Sequence, residues 1–169
     1  MRMKSFNVLV LCTGNSARSI LGEALFNHLG KGRIRAFSAG SQPSGKVNPL
    51  ALETLAAHGV PWPNAGQPRS KSWDEFAAPG APRLDFIFTV CASAAGEACP
   101  IWPGHPATAH WGIADPAHVE PLAARRAAFE TAYVELEKRI AAFLNLPLET
   151  LSAAAIVEAA RRIHSEASA

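Results

Sequence analysis

"VLVLCTGNSARS", residues 8–19, changes character at its fifth position: four β-branched or leucyl side chains give way at Cys12 to a loop holding one Gly, one Asn, two Ser and one Arg. A short apolar run of this kind reads as a buried strand, and its abrupt end in small polar residues reads as a loop. Cys12 is the junction. Beyond the loop, Ile20, Ala24, Leu25 and Leu29 recur near a 3.6-residue period with Gly30 just past them, which predicts a helix over residues 19–29.

Working outward, residues 6–11 form the first strand and residues 34–38 a short second one. Asn48 followed by Pro49 caps a helix that carries Leu52, Leu55 and Ala56 and ends near Gly59. Residues 60–82 are rich in Pro, Gly and Ser and read as surface loop, with one helical turn from Ser72, which stands at capping-box spacing from Glu75. "LDFIFTV" is a third buried strand ending at Val90, immediately before Cys91, and residues 107–111 a short fourth. "GIADPA" is a turn, residues 120–144 a long amphipathic helix, and the last segment has Ala and Leu at helical spacing, either docked or mobile. The βαβα alternation predicts an α/β fold, a single-domain three-layer sandwich with about four parallel strands and helices on both faces. Residues 1–145 make the main domain in this reading, and residues 146–169 a helical extension.

The chain has 169 residues, 49% of them hydrophobic, enough for one core without disulfide or metal staples. Lys and Arg number 16 against 14 Asp and Glu; the net charge of +2, with no basic run, argues against nucleic acid as a ligand. The basic start "MRMKSFNVLVLC" lacks the cleavage site of a signal peptide, and no apolar run is long enough for a membrane span. A cytoplasmic protein is expected, in which cysteines are kept reduced and serve chemistry more often than structure. There are three: Cys12, Cys91 and Cys99.

Ligands of open α/β sheets gather at the carboxyl ends of the strands, where the next helix presents unpaired amides and its positive dipole end. A thiol placed there, with an Arg nearby, is expected to ionise more readily than a free cysteine and to act as a nucleophile. Arg18 offers a planar two-point grip on an oxyanion, Gly14 allows close backbone approach, and Asn15 and Ser16 tie the loop to itself. A half-buried structural Cys behind a capped helix is the plainer alternative for an isolated cysteine, but not for Cys-x5-Arg-Ser between a strand and a helix.

These residues, "CTGNSARS", resemble the phosphate loop of the low-molecular-weight protein tyrosine phosphatases and of the arsenate reductases built on the same fold. The resemblance spans residues 6–144. It implies Cys12 as nucleophile, Thr13, Gly14, Asn15, Ser16, Ala17, Arg18 and Ser19 as the oxyanion-binding loop, and Asp115 of "ADPA" as general acid for the departing oxygen. Phosphate, sulfate or arsenate is the implied loop ligand. No tightly bound cofactor and no metal follow from it: Cys91, Cys99, His105 and His110 fit no closed zinc spacing.

"TVCASAAGEACPIWPGHP" and "AHWGIADPA" extend the likeness to thioredoxin-coupled arsenate reductases. By that resemblance Cys91 attacks the Cys12–arsenic adduct and releases arsenite, then Cys99 attacks Cys91, and thioredoxin reduces the resulting disulfide. If the stretch between them is helical, Cys91 and Cys99 lie about 12 Å apart, beyond the roughly 7 Å that a disulfide spans; forming the bond then requires the segment to unwind. The alternative is a phosphatase acting on phosphate monoesters through a cysteinyl-phosphate. Phosphatases of this fold carry tyrosines after the Asp-Pro, whereas "DPAHVEP" has none and Tyr133 lies inside the long helix. Ala17 stands where many such reductases have a second loop cysteine. In some of them the counterparts of Asn15, Glu23 and Ser38 lie near a potassium ion; Lys71 falls where an acidic ligand is expected, and its ammonium is a candidate replacement, a solvated surface charge being the other reading.

Overall fold

A computed structural model describes residues 5–63, 66–91 and 106–167. Its elements in chain order are β1 (Phe6–Cys12), α1 (Arg18–Gly30), β2 (Ile34–Gly40), α2 (Pro49–Ala57), a 3-10 helix (Trp73–Phe76), β3 (Phe86–Thr89), β4 (Ala107–His110), α3 (Leu122–Leu144) and α4 (Ala153–Ala167). The four strands are parallel in the order β2-β1-β3-β4. No helix among the described residues is long and apolar enough to cross a membrane.

The period of two in β1 explains why its apolar residues run without a break. Val8, Val10 and Cys12 point into the larger core with Ile20, Leu25, Phe88, Trp111 and Phe143, while Leu9 and Leu11 point the other way, against Trp73, Phe76, Leu84 and Ile87. α1 to α4 all contribute to the larger core, and the 3-10 helix covers the opposite face. α1 rests directly on β1 because Gly22 has no Cβ: one would meet Val10 Cγ1 at 2.9 Å.

Asn48 caps α2 as the sequence predicts, accepting from Leu50 N at 2.9 Å with Pro49 at the first helical position. The helical turn expected from Ser72 is there, capped by Ser72 Oγ on Asp74 N, but the expectation that the whole of residues 60–82 lies on the surface is corrected. Ser72 forms a bridge with Gly40, and Lys71, Trp73 and Phe76 are buried, because the exposed flank of β2 and the second face of β1 need a cover. The C-terminal segment is docked: Ile156 and Ala160 are buried in the larger core.

Register sets what meets at the carboxyl edge. Leu11 pairs with Thr89 and Cys12 with Gly40, and Val90 N donates to Leu11 O at 2.9 Å. The residue after Val90 is Cys91, so the end of β3 delivers it beside the loop that follows Cys12.

Candidate active site

Residues 13–17 bend back on themselves through one residue in left-handed backbone, Asn15 at φ 46°, a conformation that Asn tolerates better than most side chains. Its side chain is fully buried. Nδ2 donates to Ser19 Oγ at 2.9 Å and Ser38 Oγ at 3.0 Å, and Oδ1 accepts from Lys71 N at 2.8 Å. Ser38 Oγ in turn donates to Glu23 Oε1 at 2.5 Å. The Lys71 ammonium lies 3.7 Å from that same oxygen and donates to Arg69 O at 3.0 Å. Burial pushes the Glu23 carboxyl up and the Lys71 ammonium down, each held back by the opposite charge of the other. Lys71 is therefore the buried cation of a network behind the loop, not a solvated surface charge.

The loop carbonyls are taken from outside. Gln42 N donates to Thr13 O, Ser44 N and Ser70 Oγ to Gly14 O, and Asn48 N to Ser16 O, at 3.0, 3.0, 3.1 and 2.9 Å. In a trans peptide the next N–H points opposite to the carbonyl, so the amides of Gly14, Asn15 and Ala17 turn away from those partners. Gly40 makes the arrangement possible: a Cβ there would stand 2.4 Å from Thr13 O.

Arg18 opens α1, whose N-cap, Ala17, offers no capping side chain. Arg18 Nη1 donates to Ile113 O at 2.9 Å, and Nη2 stands 3.6 Å from Asp115 Oδ2. Arg18 Nε is buried with no acceptor among the described residues, a donor suited to an oxyanion. Asp115 Oδ1 accepts from Ala117 N at 2.9 Å, which fixes the carboxyl, and His118 Nε2 is 4.0 Å from Oδ2. Cys12, Thr13, Gly14, Ser16, Ala17 and Arg18 floor a cavity of about 350 Å³, walled by Ser44 and Asn48 on one side and Asp115, Ala117 and His118 on the other. Among the described residues the rim carries no Phe, Tyr or Trp, and Tyr133 is buried in α3 with its ring stacked on His58.

The second cysteine meets the loop. Thr13 N donates to Cys91 Sγ at 3.2 Å, Thr13 Oγ1 lies 3.3 Å from the same sulfur, and both Cys12 and Cys91 are buried free thiols. The hydrogen bond shared with Cys91 and burial push the Cys12 thiol up, against Arg18 and the Gly14 amide, which pull it down. Dipole and Arg18 are thus not the only influences on Cys12: a second sulfur beside it competes for the negative charge.

The structure thus brings Cys12, Arg18 and Asp115 to one cavity, with Thr13, Gly14, Ser16 and Ala17 lining it, and seats Cys91 beside it against Thr13. The Asn15 side chain ties the loop in place, as expected, with Ser19 as one of its partners; neither side chain lines the cavity. Cys99, His105 and the stretch between Cys91 and Cys99 lie outside the described residues. Three participants carry no side-chain signature in the sequence: the Ile113 carbonyl, the missing Cβ of Gly40 and the Lys71 amide. Thr13 as partner of Cys91 was legible only as a loop residue.

Residues 7–156 match the family described as low molecular weight phosphotyrosine protein phosphatase. A protein of Bacillus licheniformis named arsenate reductase is 32% identical over 143 residues, covering 83% of this chain and 96% of its own. The crystal structure of arsenate reductase from Archaeoglobus fulgidus superposes with a TM-score of 0.62 at 28% identity, over 82% of this chain and 99% of that one. The Corynebacterium glutamicum thioredoxin-dependent arsenate reductase shares the fold, with a TM-score of 0.54 at 23% identity over 83% of this chain and 64% of its own. With the loop, the arginine and the parallel sheet all in place, the chain belongs to the low molecular weight phosphotyrosine protein phosphatase family, with proteins named arsenate reductase among its relatives.

Proposed function

We propose that the chain is an arsenate reductase that takes As(V) to As(III) by a relay of Cys12, Cys91 and Cys99, ending in a disulfide that thioredoxin reduces in the cytoplasm. Arsenate enters the loop as an oxyanion, held by the inward amides and the Arg18 fork. Cys12 gives its thiol proton to an oxygen of the bound arsenate dianion and bonds through Sγ to arsenic, one As–O bond breaks, and the leaving oxygen takes the proton of Asp115. Cys91 then gives its proton to an oxygen of the arsenic adduct and its Sγ attacks Cys12 Sγ; the S–As electron pair passes to arsenic, which leaves as As(III), and a Cys12–Cys91 disulfide remains. Cys99 Sγ attacks Cys91 Sγ, Cys12 leaves as thiolate, and the Cys91–Cys99 disulfide goes to the reductant.

The observation that carries this reading is the seat of Cys91: a sulfur donated to by Thr13 N, next to Cys12, has no part in simple hydrolysis but is where a resolving thiol is needed. Phosphate monoester hydrolysis shares the first step and is the alternative. The absence of Phe, Tyr and Trp from the rim among the described residues favours a small inorganic oxyanion over an aryl ester.

A paired assay tests it: arsenate reduction with thioredoxin, thioredoxin reductase and NADPH, and hydrolysis of an aryl phosphate. Cys91→Ser and Cys99→Ser should each stop multiple-turnover reduction and leave hydrolysis largely intact, since water resolves a cysteinyl-phosphate. Reduction that survives both substitutions overturns the relay.

A further inference from the structure

Trp111 is the first residue after β4 and opens the segment that leads to Asp115. Its backbone continues the sheet pattern: Trp111 N donates to Thr89 O at 2.7 Å and Ile113 N to Val90 O at 2.9 Å. Two residues of this segment then act in the cavity, Ile113 through its carbonyl on Arg18 and Asp115 through its carboxyl. The placement of Arg18 and Asp115 therefore depends on how Trp111 is seated.

Its seat is closed by α4. The Trp111 side chain is fully buried among Phe26, Phe88 and Phe143, and its indole Nε1 donates to Ala160 O, in the middle of α4, at 2.9 Å. A second tie lies one turn further along α4. His164 Nδ1 accepts from Arg139 Nε of α3 at 3.1 Å, and its ring lies 6.2 Å from that of His110, which meets Thr89 Oγ1 at 2.7 Å. Ala160 and His164 both lie past residue 156, where the family match ends. They lie in the C-terminal helix, Ala153–Ala167.

We propose that α4 is a positioning element of the reaction: docked on Trp111 through Ala160, with His164 held by Arg139, it sets the segment that carries the Ile113 carbonyl and Asp115 against Arg18. Ala160 and His164 touch neither substrate nor reacting atoms and act through that segment. A cavity without its acid still binds an oxyanion on the loop but protonates the leaving oxygen poorly. The loss is therefore confined to leaving groups that need the proton. The proposal rests on Asp115 as general acid.

The test compares phenyl phosphate, whose leaving oxygen needs a proton, with 2,4-dinitrophenyl phosphate, whose leaving oxygen does not, in full-length protein. Ala160→Glu places a carboxylate in the buried seam. It should raise hydrogen exchange in α4 and lower kcat/KM for phenyl phosphate at least ten-fold, with kcat/KM for dinitrophenyl phosphate within two-fold of the parent. Trp111→Phe, which keeps an aromatic ring and removes the N–H, is the milder variant and should move the phenyl phosphate rate alone, in the same direction. His164→Leu should act likewise. Equal losses on both substrates, or released α4 with the phenyl phosphate rate unchanged, overturn the positioning role. Asp115→Asn separates the two claims: if it leaves the ratio of the two substrates at the parent value, the acid assignment fails and the proposal with it; if it shifts the ratio and the α4 variants do not, the positioning role fails alone.

Discussion

Asp115 Oδ2 and Arg18 Nη2 stand 3.6 Å apart, so the candidate acid leans on the guanidinium that is to hold the oxyanion. An ionised Asp115 satisfies Arg18 but repels an incoming anion; a protonated one does neither and can donate. The carboxyl must therefore change partners, from Arg18 to the leaving oxygen, as the substrate binds.

Asp115→Asn tests that exchange. It removes the proton donor and the repulsion together while keeping the shape, and the Ala117 N bond to the side-chain oxygen can persist. We expect kcat on substrates with poor leaving groups to fall about 10²–10⁴-fold, while phosphate or arsenate binds the variant more tightly than the parent. Weaker oxyanion binding by the Asn variant contradicts the repulsion argument.

Arg18 offers a sharper test of recognition. Its Nη1 and Nη2 are engaged by Ile113 O and Asp115, and its buried Nε is open to the ligand, an arrangement that needs the planar fork. Arg18→Lys keeps the charge but cannot reach three partners, and kcat/KM should drop by about two orders of magnitude or more, on the scale of losing preorganised oxyanion donors. Cys12→Ser should abolish both reduction and hydrolysis, because a hydroxyl in the same seat stays protonated. A Ser variant that turns over, or an unaltered kcat/KM in the Lys variant, removes these residues from their roles.

How far the sequence led can be read from particular residues. β1 and its loop were legible because a switch from apolar to small polar residues has few structural meanings, and α2 because Asn48 and Pro49 form a local start signal. Lys71 was legible only through the family resemblance, which offered its ammonium as a replacement cation, since a lysine in a Pro-, Gly- and Ser-rich stretch otherwise reads as surface; it is buried because Glu23, far off in sequence, supplies the countercharge and Asn15 takes its amide. The rise of Cys12 was hidden: it depends on the register that brings Cys91 beside it, which no local pattern encodes. Asp115 came from family resemblance, and the Ile113 carbonyl that completes its setting has no side-chain signature.

Gly40 is a structural prediction of that kind. With a Cβ only 2.4 Å from Thr13 O, a backbone atom, Gly40→Ala must displace either the end of β2 or the loop. Overpacking of this sort costs about 1–3 kcal/mol, and an ångström-scale shift of catalytic groups costs about 10²-fold in rate. The variant should fold, melt somewhat earlier, and lose kcat/KM out of proportion to its stability. Full activity in Gly40→Ala shows that the loop tolerates the displacement.

The relay makes a covalent prediction. One equivalent of arsenate added to the reduced protein without a reductant should leave a Cys91–Cys99 disulfide and a free Cys12, read by mass spectrometry of the alkylated, digested protein. Cys99→Ser should instead stop at Cys12–Cys91, the pair whose sulfurs the end of β3 already brings into hydrogen-bonding contact. A Cys12–Cys99 bond as the main product contradicts the order of attack.

The buried pair behind the loop gives a pH-dependent prediction whose sign follows from burial. Glu23 is raised by burial, so the native state binds its proton more tightly than the unfolded chain does, and stability falls as pH rises from about 4.5 through the folded value. Lys71 opposes this, because its ammonium stabilises the ionised carboxylate at 3.7 Å. Lys71→Met removes that countercharge and leaves a carboxylate, with a side chain only 12% exposed, facing Ser38 alone. At neutral pH the loss should be about 3 kcal/mol, as for other buried pairs broken on one side, and it should shrink as pH is lowered toward 4.5, where Glu23 takes up a proton instead. Adding Glu23→Gln to Lys71→Met should recover most of that loss at neutral pH and flatten the slope. Urea unfolding of the parent, Lys71→Met and the double variant between pH 4.5 and 8 measures all three curves; a Lys71→Met penalty that does not change with pH means the ammonium serves packing and not charge.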